Sequence, residues 1–156
     1  MIIAVSGTPG TGKTTLAKKI AKALNYRYLN AGRLIVNKRI SEGYDKKRRC
    51  YIVDVKKLNR ILIGEIRKYP NIIIDSHLSH YLPKRYVDLC IITKCSLKTL
   101  EGRLKKKRYS KSKIRENLDC EIFDVCLNEA KEVGHKVIVV DTSKGVRINE
   151  LVKRIK

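Results

Sequence analysis

A glycine-rich octad near the N-terminus holds the residues best suited to chemistry. It reads Gly7-Thr8-Pro9-Gly10-Thr11-Gly12-Lys13-Thr14 and matches the pattern GxxxxGK(S/T) directly after the apolar run Ile2–Val5. Glycines let the backbone turn its N–H groups inward around an anion, and a following helix adds its positive N-terminal end. Lys13 would hold the β- and γ-phosphates, and the Thr14 hydroxyl would ligate Mg²⁺. The pattern predicts a nucleoside triphosphate site; the alternative is an unrelated glycine-rich turn.

A second candidate is the apolar run 71–75, which ends in the carboxylate of Asp75. Beside a phosphate-binding strand, this form predicts a Walker B acid that serves the Mg²⁺ ion, although a helix N-cap would explain Asp75 as well. His77 points the same way if the chain stays extended, so it could position a water or hydroxyl for attack on the γ-phosphate. The alternative for His77 is a hydrogen-bonded loop histidine. No function is predicted for His80 or His135.

Two basic stretches interrupt the apolar pattern. In residues 103–115, eight of thirteen residues are Lys or Arg and none is acidic. One or two of these cations would suffice to stabilise a transferring phosphoryl group, and the others form either a solvated face or a contact for a larger polyanion. The polar stretch 30–50 ends in Lys46-Lys47-Arg48-Arg49. Both stretches are expected to be excursions from the core, where such folds carry substrate-specific parts.

Short apolar runs that alternate with helical patterns are expected to position these residues. The alternation predicts an α/β fold with a parallel sheet covered by helices on both faces. The predicted strands are Ile2–Val5, Tyr26–Leu29, Ile72–Ile74, Val87–Thr93 and Val137–Val140. Helical periodicity covers residues 16–24, 55–69 between the N-cap Asp54 and Pro70, 114–125 with a stop at Gly134, and 148–155.

Length and composition favour one soluble domain. The chain has 156 residues, 43% of them hydrophobic, and a formal charge of +21. No apolar run exceeds five residues and no signal peptide is recognised, so we expect a cytoplasmic protein without a membrane span. The five cysteines never form CxxC, which favours reduced thiols over a metal site. The charge fits an RNA-rich surrounding or a lysine-rich organism's background.

With these residues placed, the sequence resembles the adenylate kinase isoenzyme 6 family, small P-loop NTPases tied to assembly of the small ribosomal subunit. The resemblance covers nearly the whole chain. It rests on GTPGTGKTT (Gly7 to Thr15), Asn30-Ala31-Gly32, Gly43-Tyr44-Asp45 with Asp54, Asp75-Ser76-His77, Arg103-Leu104…Tyr109, Glu116-Asn117 and Cys120-Glu121-Ile122-Phe123. The DxH element, Asp75 to His77, is the specific part because ordinary adenylate kinases lack it.

The resemblance implies a P-loop NTPase fold like that of nucleoside monophosphate kinases, in a single domain spanning residues 1–156. A monophosphate-binding arm is expected at about 30–53 and a lid at about 103–113. It further implies ATP and Mg²⁺ as cofactors, AMP as acceptor, ADP as product, adenylate kinase and ATPase activities, and a ribosomal-protein partner with possible rRNA contact. The expected catalytic residues are Lys13, Asp75, His77, Arg103, Lys107 and Arg108, with Thr14 and Asp75 at the metal. We expect a monomer.

The chain departs from the family pattern in the arm and the lid. Arg33 stands where an acidic residue is usual, and Lys46 to Arg49 replace a generally acidic stretch. In the lid, Lys107 aligns with the family's second arginine and Arg108 with the glycine after it. A lysine supplies a point charge rather than a planar fork, so Arg108 would have to do any bidentate work. The acceptor therefore stays open.

Three functions are consistent with these residues. The first is an enzyme that moves the γ-phosphoryl group of ATP to AMP or to water. The second is an assembly factor in which turnover serves a switch. The third is a kinase for another small acceptor, which the DxH element disfavours. The loop Asp141–Gly145 either passes over the adenine or is an ordinary turn into the last helix.

Overall fold

Strands and helices alternate along the chain. A computed structural model describes residues 1–47 and 50–156; Arg48 and Arg49, part of the predicted basic stretch, lie outside the described residues. The strands are β1 Ile2–Gly7, β2 Arg27–Asn30, β3 Gly43–Asp45, β4 Cys50–Ile52, β5 Ile72–Asp75, β6 Leu89–Lys94 and β7 Val137–Asp141. The helices are α1 Lys13–Leu24, α2 Ala31–Asn37, α3 Val55–Ile66, α4 Leu97–Lys106, α5 Lys111–Ile122, α6 Val125–Glu132 and α7 Ile148–Ile155. Short 3₁₀ turns occupy Ser79–Tyr81 and Lys84–Tyr86.

The main sheet is parallel and has the strand order β2-β5-β1-β6-β7, which confirms the predicted five-stranded sheet. Every residue of β5 is buried, as expected for a strand covered on both faces. In the pairing register, Val5 and Asn30 both lie opposite Asp75. The carboxyl ends of β1, β2 and β5 therefore meet at one edge, where open parallel sheets bind their ligands.

Helices cover both faces of the sheet, as predicted. Alternate residues of β1 face opposite sides: Ile3 and Val5 pack with α1 and α7, whereas Ala4 packs with α2, α3 and α6. The first side is filled by Leu16, Ala17, Ile20, Ile73, Ile91, Val140, Leu151 and Ile155. The other side is filled by Ala31, Ile35, Leu58, Leu62, Ile66, Ile72, Ile74, Ile92 and Ala130. These two apolar layers hold the strand ends in place.

The predicted helix over residues 114–125 is instead two helices, α5 and α6. Asp124 separates them because its backbone is left-handed, with φ of 51°, and a left-handed residue ends an α-helix. Gly134, with φ of 87°, follows α6 as expected. The predicted strand beginning at Val87 starts later, at Leu89, because a 3₁₀ turn directly precedes Val87.

The two polar excursions fold into small substructures. Within residues 30–53, the described part forms α2 and the antiparallel strand pair β3–β4, in which Tyr44 and Tyr51 face each other with ring centroids 5.2 Å apart. α3 begins as predicted, since Asp54 accepts hydrogen bonds from the backbone N–H groups of Lys56 and Lys57. Residues 103–113 comprise the end of α4, the connection 107–110 and the start of α5. These helices share a small core of Cys95, Leu100, Leu104 and Ile114.

Candidate active site

The glycine-rich octad forms a loop between β1 and α1. Gly7, Gly10 and Gly12 have φ values of 141°, 92° and 85°, in the region that side chains disfavour. A Cβ on Gly7 would lie 2.5 Å from the backbone oxygen of Thr93, so no larger residue fits. Beneath the loop, the buried Thr11 hydroxyl donates to the carbonyl oxygen of Thr8 at 2.7 Å and lies 2.6 Å from the Thr93 hydroxyl. The Thr11 side chain thus anchors the loop to β6.

Lys13 is the first residue of α1 and reaches back across this loop. Its Nζ donates a hydrogen bond to the carbonyl oxygen of Thr8 at 3.0 Å. Burial lowers the pKa of Lys13 to about 8, and the nearby negative charge of Asp75 partly opposes that shift. A bound polyphosphate would add negative charge beside the amine and favour its charged form. The lysine is therefore placed at the mouth of an anion-binding loop, next to a carboxylate.

Asp75 ends β5 and is 2% exposed. Its Oδ2 atom accepts three hydrogen bonds, from Thr14 Oγ1 at 2.7 Å, Tyr28 OH at 2.8 Å and Asn30 Nδ2 at 2.8 Å. An N-cap carboxylate accepts hydrogen bonds from backbone N–H groups, whereas these three donors are side chains. The hydrogen bonds of Asp75 are therefore not those of a helix N-cap. Sequence reasoning gave Tyr28 no role and used Asn30 only in a motif. Their two-residue spacing on a strand could have revealed them, because it places both on one face.

His77 follows Asp75 in an irregular segment; part of its side chain is exposed to solvent and part packs against the protein. The protein packed around the ring, and next the positive charge of Lys13, lower the pKa of His77 to about 4. The imidazole is therefore neutral near pH 7 and can accept a proton. Within residues 1–47 and 50–156, no hydrogen bond involves its side chain, so the structure does not show the hydrogen-bonded loop histidine that was the alternative.

The other two histidines belong to the interior. The ring of His80 lies 2.6 Å from the Ser6 hydroxyl through Nδ1 and 2.9 Å from a carboxylate oxygen of Glu129 through Nε2. Tyr81 donates to the other oxygen of that carboxylate at 2.7 Å. His135 Nε2 lies 2.9 Å from the carbonyl oxygen of His80. This network ties β1 to α6.

Arg103, on α4, spans the site rather than extending into solvent. Its guanidinium donates to the carbonyl oxygen of Thr142 at 2.8 Å, to the Thr142 hydroxyl at 3.1 Å and to the carbonyl oxygen of Gly10 at 3.4 Å. The Thr142 hydroxyl in turn donates to the carbonyl oxygen of Thr11 at 2.6 Å. The glycine-rich loop, α4 and the loop after β7 are therefore held together by one arginine and one threonine.

A cavity of about 610 Å³ opens between these elements, within the range typical of small-ligand sites. It is lined by Gly10, Gly12, Lys13, Thr14, Thr15, Leu16, Lys19, Arg103, Lys106, Lys107, Thr142, Ser143, Gly145 and Val146. The structure thus brings Arg103, Lys107 and part of the predicted adenine loop to one cavity. Arg108 is exposed, is not part of the lining, and has a left-handed backbone with φ of 56°.

In the part of the chain that the structure describes, the other chemical groups form no second candidate site. Within the described residues, no group of three His, Cys, Asp or Glu side chains could hold a metal ion by itself. The five cysteines are free thiols; Cys50 is exposed, whereas Cys90 and Cys95 are buried. In the described part of the chain, no helix has the length and apolar character needed to cross a membrane.

Sequence comparisons relate the chain to a described family and to proteins named as adenylate kinases. A family described as "AAA domain" matches residues 3–124. The chain is 41% identical over 155 residues to a "Putative adenylate kinase" of Pyrococcus furiosus, covering 99% of this chain and 82% of that protein. It is 37% identical over 139 residues to an "Adenylate kinase isoenzyme 6 homolog" of Dictyostelium discoideum, covering 89% of this chain and 79% of that protein.

Solved structures show the same fold. Shikimate kinase from Acinetobacter baumannii superposes with a TM-score of 0.66 at 15% identity, covering 99% of this chain and 89% of that one. Deoxyadenosine kinase from M. mycoides gives 0.61 at 20% identity, covering 99% and 98%. The fold, together with the names of the relatives, places the chain among the P-loop kinases. The chain belongs to the adenylate kinase isoenzyme 6 family, which confirms the resemblance seen in its motifs.

Proposed function

We propose that this protein transfers the γ-phosphoryl group of ATP to AMP in the presence of Mg²⁺, and that it hydrolyses ATP when water takes the place of AMP. The observation that carries the proposal is that the glycine-rich loop and Asp75 lie together at one sheet edge, where Thr14 donates a hydrogen bond to Asp75, beside a cavity of about 610 Å³ that Lys13 and Thr14 line. His77 lies two residues after Asp75 in the chain. The names of the Pyrococcus and Dictyostelium relatives support the choice of AMP as acceptor.

The residues present suit a Mg²⁺ ion. The hydroxyl of Thr14 and the carboxylate of Asp75 lie 2.7 Å apart, and both are the oxygen donors that Mg²⁺ prefers. Protein sites commonly hold this ion through one or two carboxylates together with substrate phosphates, so two protein groups suffice. When bound, the ion neutralises the charge that develops on the β- and γ-phosphate oxygens.

The chain's own residues would divide the remaining work. Lys13 and the loop N–H groups would bind the phosphates, and Arg103 with Lys107 would stabilise the transferring group from the lid side. Lys107 supplies a single point charge there, whereas the Arg103 fork is already oriented by Thr142. Arg108 stays a prediction as a transition-state residue, since it would have to turn inward from its exposed position.

His77 would act differently toward the two acceptors. Water must lose a proton as it attacks, and a neutral imidazole can take that proton. The phosphate of AMP is already largely ionised near neutral pH, so it needs orientation rather than a base. We therefore infer that His77 matters more for hydrolysis than for transfer to AMP.

We also propose that turnover is coupled to maturation of the small ribosomal subunit, with a ribosomal protein or rRNA as partner. The charge of +21 and the exposed run Lys105 to Arg108 support a polyanionic surrounding. A salt titration of rRNA binding tests this part. The affinity should fall steeply as salt rises because neutralised phosphates release counterions, and a flat dependence would contradict an RNA contact.

A panel of acceptors tests the catalytic proposal. Labelled ATP and Mg²⁺ are incubated with AMP, with other nucleoside monophosphates, with hydroxyl metabolites such as shikimate, or with water alone. We expect AMP to receive the label fastest, with slower release of phosphate to water. Faster labelling of another acceptor would assign the third function considered above, and turnover that needs small-subunit components would favour the switch.

A further inference from the structure

Three hydrogen-bond donors converge on a single oxygen of Asp75. Thr14, Tyr28 and Asn30 all donate to Oδ2 at 2.7–2.8 Å. Among the described residues, the hydrogen bonds that the Asp75 carboxylate accepts are all made by this oxygen. A carboxylate held at one oxygen cannot rotate freely about its Cβ–Cγ bond. The second oxygen, Oδ1, is therefore presented in a fixed direction for a further partner.

Two of these donors come from β2, the edge strand beside β5. In the register, Tyr28 pairs with Ile73 and Asn30 pairs with Asp75, so the two side chains lie on one face next to the carboxylate. They also contact each other, since Asn30 Nδ2 lies 3.3 Å from the Tyr28 hydroxyl. Tyr28 and Asn30 thus form a small clamp, which we call the β2 clamp.

Asn30 uses both ends of its side chain. Its amide nitrogen donates to Asp75, while its oxygen accepts a hydrogen bond from the backbone N–H of Arg33 at 2.9 Å and so caps α2. Helix α2 opens the excursion over residues 30–53. The clamp therefore joins the carboxylate at the nucleotide site to the start of the predicted arm.

We propose that Tyr28 and Asn30 are positioning residues that orient Asp75 for the divalent ion, and this inference rests on the proposed function. Neither residue would touch the ion or the nucleotide. Groups that orient a metal ligand commonly contribute about 10–100-fold to metal affinity. Removing a clamp hydrogen bond should therefore weaken the metal-dependent part of nucleotide binding and leave the metal-independent part unchanged.

Three variants test the inference. Tyr28→Phe keeps the ring and removes the hydroxyl donor. Asn30→Ser keeps a capping oxygen for α2 but is too short to reach Asp75. Tyr26→Phe is the matched control, because Tyr26 packs in the same apolar layer as Tyr28 and no hydrogen bond of its hydroxyl is among those of the described residues. ADP affinity is measured by calorimetry for each protein, once with Mn²⁺ and once with EDTA.

We expect Mn²⁺ to strengthen ADP binding to the wild type and to the Tyr26 variant equally. In both clamp variants that gain should fall by about 10-fold or more, while affinity in EDTA stays at the wild-type value. An undiminished gain in both clamp variants, or the same loss in the Tyr26 variant, would overturn the inference. A wild-type protein that does not bind ADP would instead overturn the proposed function.

Discussion

The guanidinium of Arg103 donates a 2.8 Å hydrogen bond to the carbonyl oxygen of Thr142, and both residues line the cavity beside the glycine-rich loop. Arg103, the first cation of the basic run, is therefore hydrogen-bonded to the loop that follows β7. The same guanidinium also contacts the carbonyl oxygen of Gly10 in the phosphate-binding loop. One side chain thus sets the spacing between two walls of the cavity.

Arg103→Lys should weaken ATP binding by about 10-fold, because a lysine cannot make the forked contact and each hydrogen bond to a charged group contributes about 1.5–3 kcal/mol. Calorimetric titration with ATP gives the affinity. Arg115→Lys is the control, since Arg115 belongs to the same basic run but pairs with Asp119 on the exposed surface. If ATP affinity fell equally in both variants, the loss would reflect replacement of any arginine of the basic run by lysine and not the contacts of Arg103.

Lys13→Ala should reduce ATP turnover at least 100-fold, because the amine is the cation held nearest the loop carbonyls and loss of one preorganised charge contact at a reacting phosphate costs about 10²–10³ in rate. A coupled ADP assay measures turnover. Lys22→Ala, on the exposed face at the end of α1, should keep the wild-type rate. Turnover near wild type in the Lys13 variant would rule out this site.

His77→Gln should lower ATP hydrolysis at least about 100-fold, the lower range for a general base, while ATP affinity changes little. Phosphate release and calorimetry measure the two quantities separately. Equal losses in hydrolysis and in binding would make His77 a structural residue.

The pH dependence of hydrolysis should also follow the lowered pKa of His77. The free base is the active form, and a pKa of about 4 keeps it populated as the pH falls through 6.5, the ordinary value for histidine. Activity should therefore decline only as the pH approaches 4. A wild-type rate that halves near pH 6.5, in protein that remains folded, would contradict the proposed base.

Arg108→Gly should raise the free energy of unfolding by about 1 kcal/mol. Arg108 has φ of 56°, where a side chain costs about 1–2 kcal/mol, and glycine removes this strain at some cost in unfolded-chain entropy. Urea denaturation gives the change. Arg115→Gly, inside α5, should instead destabilise by about 1 kcal/mol because glycine is a poor helix former. A destabilised Arg108 variant would show that its side chain makes a stabilising contact.

Much of the site was predictable because its parts are local in sequence. The octad from Gly7 to Thr14 carries its own turn chemistry, and the run before Asp75 marks a buried strand by composition alone. The five strands followed from apolar runs for the same reason. By contrast, α2, α4 and the β3–β4 strand pair escaped prediction. Helix α2 and the two strands are short, and α4 runs into the basic stretch 103–115. The break at Asp124 depended on one left-handed residue inside a continuous helical pattern.

The sequence by itself determined the phosphate-binding loop, the carboxylate-ended strand and the parallel sheet, because each is encoded by neighbouring residues. Only the tertiary structure decided that Tyr28 and Asn30 clamp Asp75, and that Arg103 reaches Thr142. These contacts join residues about 40 positions or more apart in the chain. They exist because β2 pairs with β5 in one register and because α4 packs beside the loop after β7, and neither choice can be read from a local pattern.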